Sequence, residues 1–319
     1  MPDIKLTRRS FLAGVGTLAA AAITNREARA FPTRIPMVGS RFDPSLSAAA
    51  IKFGYASITW GGNDLQAISD IAEAGFRGIQ VRANILSQFG SRPGDLRDLL
   101  AQHKLQFVAL SSGGVIIDPG KEADEIAKHA ANAKFVRDAG GLYLQLTDSA
   151  RPKGRQPEPD DFKRLGRIMT EIGKRAADFG VQVGYHNHMN SLGEAPGEVD
   201  RIFDAADPKF LKFELDIAHY QQGGGDPVAT IRKYHDRLLF LHIKDLESPV
   251  PDDQSKKYRF VELGRGKVDL PGVFRALNDV KFSGWAVVEL DGVPDKSRTP
   301  KECAMISKRY LEEKIGFRI

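Results

Sequence analysis

The strongest constraint on this chain is a repeated order of segments. A short apolar run, an amphipathic stretch, often a glycine, and then the next apolar run recur eight times between residues 52 and 290. The runs are KFGYASI (52–58), FRGIQV (76–81), LQFVAL (105–110), LYLQL (142–146), VQVGYH (181–186), LKFELD (211–216), LLFLHI (238–243) and WAVVEL (285–290). Stretches between them, such as DLQAISDIAEAGF and DFKRLGRIMTEIGKRAADFG, place apolar residues three and four apart, the spacing of one helix face. Gly75, Gly140 and Gly180 stand where those helices should end, in positions that favour a left-handed backbone. Near-continuous apolar runs suit parallel strands covered on both sides. The expectation is an α/β fold, a single-domain (β/α)8 TIM barrel over residues 51–319. The rival, an open doubly wound sheet, would usually carry a glycine-rich phosphate fingerprint after its first strand; SITWGGND lacks that spacing, and QQGGGDP is a loop before a helix.

Residues 1–30 read as an address. A paired Arg8 and Arg9 precede an apolar stretch from Phe11 to Ile23, and Ala28-Arg29-Ala30 forms a small-x-small site that predicts cleavage before Phe31. The stretch is shorter than the roughly 20 residues that span a bilayer and contains two glycines. TRRSFL resembles the twin-arginine export motif, which implies a periplasmic or secreted protein that is exported already folded, without stable membrane insertion after cleavage. Residues 31–50 read as a linker.

The single cysteine, Cys303, rules out an intramolecular disulfide, and a barrel-sized core needs none. The net charge of +5 owes several of its positive charges to the signal and its flank, and no basic cluster interleaved with aromatics follows, so nucleic acid is not an expected partner. A homo-oligomer is compatible with the sequence.

Parallel barrel strands all deliver their C-terminal ends to one rim, and the last four runs end in ionisable groups. The fifth ends in Tyr185-His186-Asn187-His188, the sixth in Glu214-Leu215-Asp216 followed by His219, the seventh in His242-Ile243-Lys244-Asp245, and the eighth in Glu289-Leu290-Asp291. His186, Asp216, His242 and Glu289 can therefore approach a common point, and two imidazoles with two carboxylates suit a divalent metal such as Mn, Co, Zn or Mg. The connections SARPKGRQPEPDD and LESPVPDDQSKKYRF lie on the same face and are candidate lids.

These residues carry a resemblance. YHNH, ELDIAHYQQGGGDP, RLLFLHIKD, ELGRGKVDLPGVFRAL and GWAVVELD resemble the sugar phosphate isomerase/epimerase superfamily of xylose isomerase-like TIM barrels, in particular its inosose dehydratase-like branch. The resemblance implies a metal held at the ends of strands five to eight by glutamate, aspartate, histidine and glutamate, which here fall on His186, Asp216, His242 and Glu289. Two departures follow from it: HNH replaces the more usual ENH, and GIQV places Gln80 where an acidic residue is common. Losing one of a pair of glutamates weakens the case for symmetric epimerisation.

The expected chemistry is enolisation of a non-phosphorylated keto sugar or keto-inositol, leading to isomerisation or epimerisation, with β-elimination from a 3-keto-glycoside as the alternative. Glu289, His219, His188 and Lys244 are the candidate catalytic groups, and Trp60, Gln80, Gln145 and Asn187 the candidate sugar contacts. A metal-dependent endonuclease of the same barrel type would need more ligands and a basic face. A non-catalytic periplasmic sugar-binding protein would keep the pocket without turnover.

Overall fold

The computed structural model describes residues 51–148 and 150–319; the expected signal segment and linker, residues 1–50, lie outside them. Among the described residues ten strands occur: β1 (Ile51–Ala56), β2 (Gly78–Arg82), β3 (Gln106–Gly114), β4 (Tyr143–Thr147), β5 (Gln182–His186), β6 (Leu211–Asp216), β7 (Leu238–Ile243), β8 (Asp245–Glu247), β9 (Arg259–Val261) and β10 (Gly284–Val288). Eight of them close into a parallel barrel in the order β1-β10-β7-β6-β5-β4-β3-β2, with helices between successive strands. Each barrel strand overlaps one of the eight apolar runs. Among the described residues no helix is long and apolar enough to cross a membrane.

Boundaries moved for local reasons. The first strand stops at Ala56 because Ser57–Trp60 coils into a 3-10 turn, and β3 runs on to Gly114 through a register shift beyond Ser111. Gly75, Gly140 and Gly180 all adopt positive φ, at 97°, 74° and 75°, where a side chain would strain the backbone.

Two apolar layers form. One lies between strands and helices; the other fills the barrel with Ala56, Val108, Ala109, Phe240, Trp285 and Val287. Phe240 stacks on Tyr143 at 5.2 Å, and a Cβ at Gly184 would sit 3.1 Å from the Phe240 ring, so glycine leaves room for that plug. Side chains alternate along a strand. Above Phe240, therefore, the next inward position on β7 is His242, and above Gly184 it is His186. The apolar plug becomes the floor of a polar site.

Candidate metal centre and active-site cavity

Asp216 shows how one residue serves both fold and site. It caps the helix Ile217–Gln222, its Oδ1 accepting the amide hydrogens of Ala218 (2.9 Å) and His219 (2.8 Å). That leaves Oδ2 fully buried without a hydrogen-bond partner, 3.7 Å from His242 Nδ1. Asn187 fixes this strand end from the side, donating to the Asp216 carbonyl (3.2 Å) and accepting from its amide (3.0 Å). Both ends of the Asn187 amide are thereby consumed, which replaces the expected sugar contact with a backbone clamp between β5 and β6.

His242 is held in one orientation. Its Nε2–H donates to Gln80 Oε1 (2.9 Å), and Gln80 in turn donates to Gln145 Oε1 (2.8 Å). Glu214 Oε1 approaches the same nitrogen within 2.7 Å. Nδ1 then faces the carboxylates: Glu289 Oε2 lies 2.8 Å away, without the alignment of a hydrogen bond. Asp216, His242 and Glu289 each offer a donor atom, all within 4.8 Å of one another. A histidine whose far nitrogen is fixed by an amide and a carboxylate is the usual arrangement behind a metal-facing imidazole. Unpartnered buried donors, two carboxylates and one oriented imidazole together fit a divalent cation.

Three of the four residues expected to share an ion thus converge. His186 stands beside them, its ring centroid 4.8 Å from that of His242, and falls into two adjoining groups, one with Glu214 and His242 and one with His188 and His219.

Lys244 is fully buried behind the carboxylates. Its ammonium is 2.5 Å from Asp291 Oδ1, 3.0 Å from Glu289 Oε1 and 3.6 Å from Asp216 Oδ2. The Phe260 ring of β9 covers it at 4.0 Å and meets the His219 ring at 4.8 Å. The connection after β7 therefore reaches over the site as expected of a lid, built on Asp245, whose carboxylate accepts amide hydrogens from Leu246, Gly264, Gly266 and Val268. The connection after β4 turns instead toward the loop after β5, where Arg151 bonds Ser191 and Glu198.

Electrostatics follow from this crowding. Burial opposes ionisation of Asp216 and Glu289, yet Lys244 holds Asp216, and His242 with Lys244 holds Glu289, below the usual carboxylate range. Burial also opposes a charge on His242, but Glu214 and Glu289 lift it well above its ordinary value. Burial pushes Glu214 up to about 7 against the pull of His242. Burial, aided by His242 for His186 and by Lys244 for His219, holds both rings neutral.

His188 Nδ1 contacts the Met189 carbonyl at 2.7 Å, which makes Nδ1 the donor and leaves Nε2 as the proton acceptor. His219 Nδ1 accepts the Met189 amide hydrogen (3.2 Å) while its Nε2 lies 3.3 Å from the Lys244 ammonium, so it is a poorer base. The two rings lie 4.0 Å apart.

A cavity of about 210 Å³ opens above these groups, bounded by His186, His188 and Glu289 on one side and Gln80, Gln145 and Arg82 on another. It is smaller than the roughly 300 Å³ at which drug-sized sites begin, and suits a single small ring. A larger groove, about 690 Å³, lies outside between helices Pro159–Ala177 and Pro196–Asp204 and contains none of these side chains. Trp60 does not line the cavity: its indole N–H donates to Asp70 (2.8 Å) and its ring packs edge-on against Tyr55. The expectation of a sugar-stacking Trp60 is thereby corrected, because the 3-10 turn folds it into the core. Glu214 and Asp291 stand among the ionisable strand ends read from the sequence but were assigned no role there, and Arg82 was not singled out; each sits two residues from an assigned residue, Asp216, Glu289 and Gln80, and so on the same strand face.

Comparison with known proteins agrees with the geometry. Inosose dehydratases are similar over most of their length: that of Klebsiella pneumoniae subsp. pneumoniae is 29% identical over 83% of this chain and 98% of its own. That of Clostridium beijerinckii is 24% identical over 85% and 100%. Among solved structures, the IolI protein with a bound zinc atom superimposes with a TM-score of 0.69 at 17% identity, covering 82% of this chain and 97% of that one. The sequence profile described as xylose isomerase-like TIM barrel matches residues 68–309, and with its closed parallel barrel this chain belongs to that family.

Proposed function

We propose that this protein is a sugar-modifying enzyme that uses a divalent cation to remove the proton beside a ketone in a keto sugar or keto-inositol, with β-elimination as the outcome. The observation that carries the reading is the convergence of Asp216 Oδ2, His242 Nδ1 and Glu289, with His242 oriented from behind by Gln80 and Glu214. The similarity to inosose dehydratases supports elimination over isomerisation.

Asp216, His242 and Glu289 would hold the cation, with His186 at their side. When bound, the cation supplies polarisation of a ketone oxygen, which acidifies the adjacent C–H. His188 takes that proton on Nε2 and, as imidazolium, can return it to the departing hydroxyl or alkoxide at the β carbon. The bond between the α and β carbons then becomes double, and the proton and leaving group depart together as water or an alcohol. Lys244 keeps Glu289 and Asp291 in place and lowers the cost of gathering their charges in a dry site. Phe260 limits water at that end.

His186 favours this outcome further. A neutral imidazole stands where the resemblance to the epimerases implies a carboxylate, which makes the two sides of the site chemically unequal. Exposure of the metal-loaded protein to an inosose and to a 3-keto-glycoside in heavy water should give deuterium uptake next to the ketone and a dehydrated or aglycone-free product. Absence of both with metal bound overturns the reading. The export signal in residues 1–30 is a separate proposal, tested by whether periplasmic protein begins at Phe31.

A further inference from the structure

The cavity is electrically two-sided, and one side lacks a partner. Toward β5, β6, β7 and β10 stand the carboxylates and imidazoles described above. Toward β2, β3 and β4 stands Arg82, the last residue of β2, the only cationic side chain among the residues that line the cavity. Its guanidinium makes no hydrogen bond or ion pair with any described residue, whereas Lys244, the other cation of the site, is surrounded by three carboxylates. Ser111 is its cross-strand neighbour, and the Ser111 and Thr147 hydroxyls, which also line the cavity, have no side-chain hydrogen bond among the described residues. Beside them β3 bulges between Ser111 and Gly114, and Gly113, at φ +91°, has open space where a side chain would stand.

We infer that this rim is an oxyanion subsite and that the substrate is a keto sugar bearing a carboxylate. An arginine fork, with Ser111 and Thr147 on the same wall of the cavity, matches a planar carboxylate in hydrogen-bonding capacity and charge. The cavity's volume of about 210 Å³ suits one ring with such a group, its ketone directed to the ligand cluster and its carboxylate to Arg82. This rests on the proposed function for the position of the ketone, but the subsite itself can be tested by binding alone.

Calorimetric binding of a hexuronate, the matching neutral hexose and the matching hexose 6-phosphate should be measured for the wild type, Arg82→Ala and Arg82→Lys. Arg82 is exposed at the rim, and a charge-assisted pair there predicts that the hexuronate binds about 3- to 10-fold more tightly than the hexose. Arg82→Ala should abolish that ratio, and Arg82→Lys should retain part of it. Equal binding of hexuronate and hexose, or an advantage that survives Arg82→Ala, overturns the inference. Tighter binding of the phosphate ester than of the hexuronate overturns the carboxylate assignment. Deuterium exchange into a neutral keto sugar reports separately on the enolisation chemistry, so failure of one leaves the other standing.

Discussion

Asp216→Asn separates the two duties of Asp216. Only an oxygen can accept the amide hydrogens of Ala218 and His219, so the asparagine carbonyl must take the Oδ1 position, and asparagine caps a helix about as well as aspartate. The amide nitrogen is then forced into the place of Oδ2, presenting hydrogens to His242 and Lys244 where an anionic oxygen stood. The Asp216–Lys244 pair at 3.6 Å is worth at most about 4–5 kcal/mol at an effective dielectric constant near 20. Lys244 keeps Glu289 and Asp291, so a stability loss of about 1–3 kcal/mol is expected. The variant should fold, lose metal affinity by at least about 100-fold through loss of an anionic ligand, and lose metal-dependent exchange. Asp216→Ala, which also loses the cap, should be less stable than Asp216→Asn by about 0.5–2 kcal/mol. Elemental analysis after dialysis, with thermal unfolding in the presence and absence of chelator, checks these values. One equivalent of metal bound to Asp216→Asn at wild-type affinity would refute the ligand assignment.

Other groups give independent tests. Gln80→Leu removes the acceptor that orients His242 and should weaken metal binding by about 10- to 100-fold with little loss of secondary structure, measured by competition with a chromophoric chelator. Gly193→Ala would place a Cβ 1.8 Å from the Tyr185 hydroxyl and 2.6 Å from Asp148; a loss of about 1–3 kcal/mol in denaturant unfolding and a displaced His188 loop are expected. Burial pushes Asp148 from its ordinary 3.8 up to about 7, so the folded state holds a proton that the unfolded state has released between those values. Its contribution is fully present below about pH 4 and lost as pH rises through 7, at no more than about 1.4 kcal/mol per pH unit. Asp148→Asn should flatten this part of the stability profile, measured by urea unfolding at a series of pH values, and an unchanged slope would count against the assignment.

The barrel was legible in the order of segments because parallel strands need apolar residues on both faces and helices must return between them, a demand that leaves its mark on every repeat. Which strand ends bring ionisable groups together was legible for a related reason: a shared rim collects strand ends, so polar residues there stand out against apolar runs. Which atoms meet was decided elsewhere. That Asp216 has one oxygen spent on a helix cap, that Asn187 clamps the end of β6, that Gln80 orients His242 while lining the cavity, and that Lys244 sits behind the carboxylates follow from the register and tilt of neighbouring strands. Trp60 shows the limit most plainly, since a single 3-10 turn after β1 decides between cavity and core. Glu214, Asp291 and Arg82 obey the two-residue alternation that was already available, but only closure of the barrel shows which of two same-face residues lies in the floor, at the ligand level or on the rim.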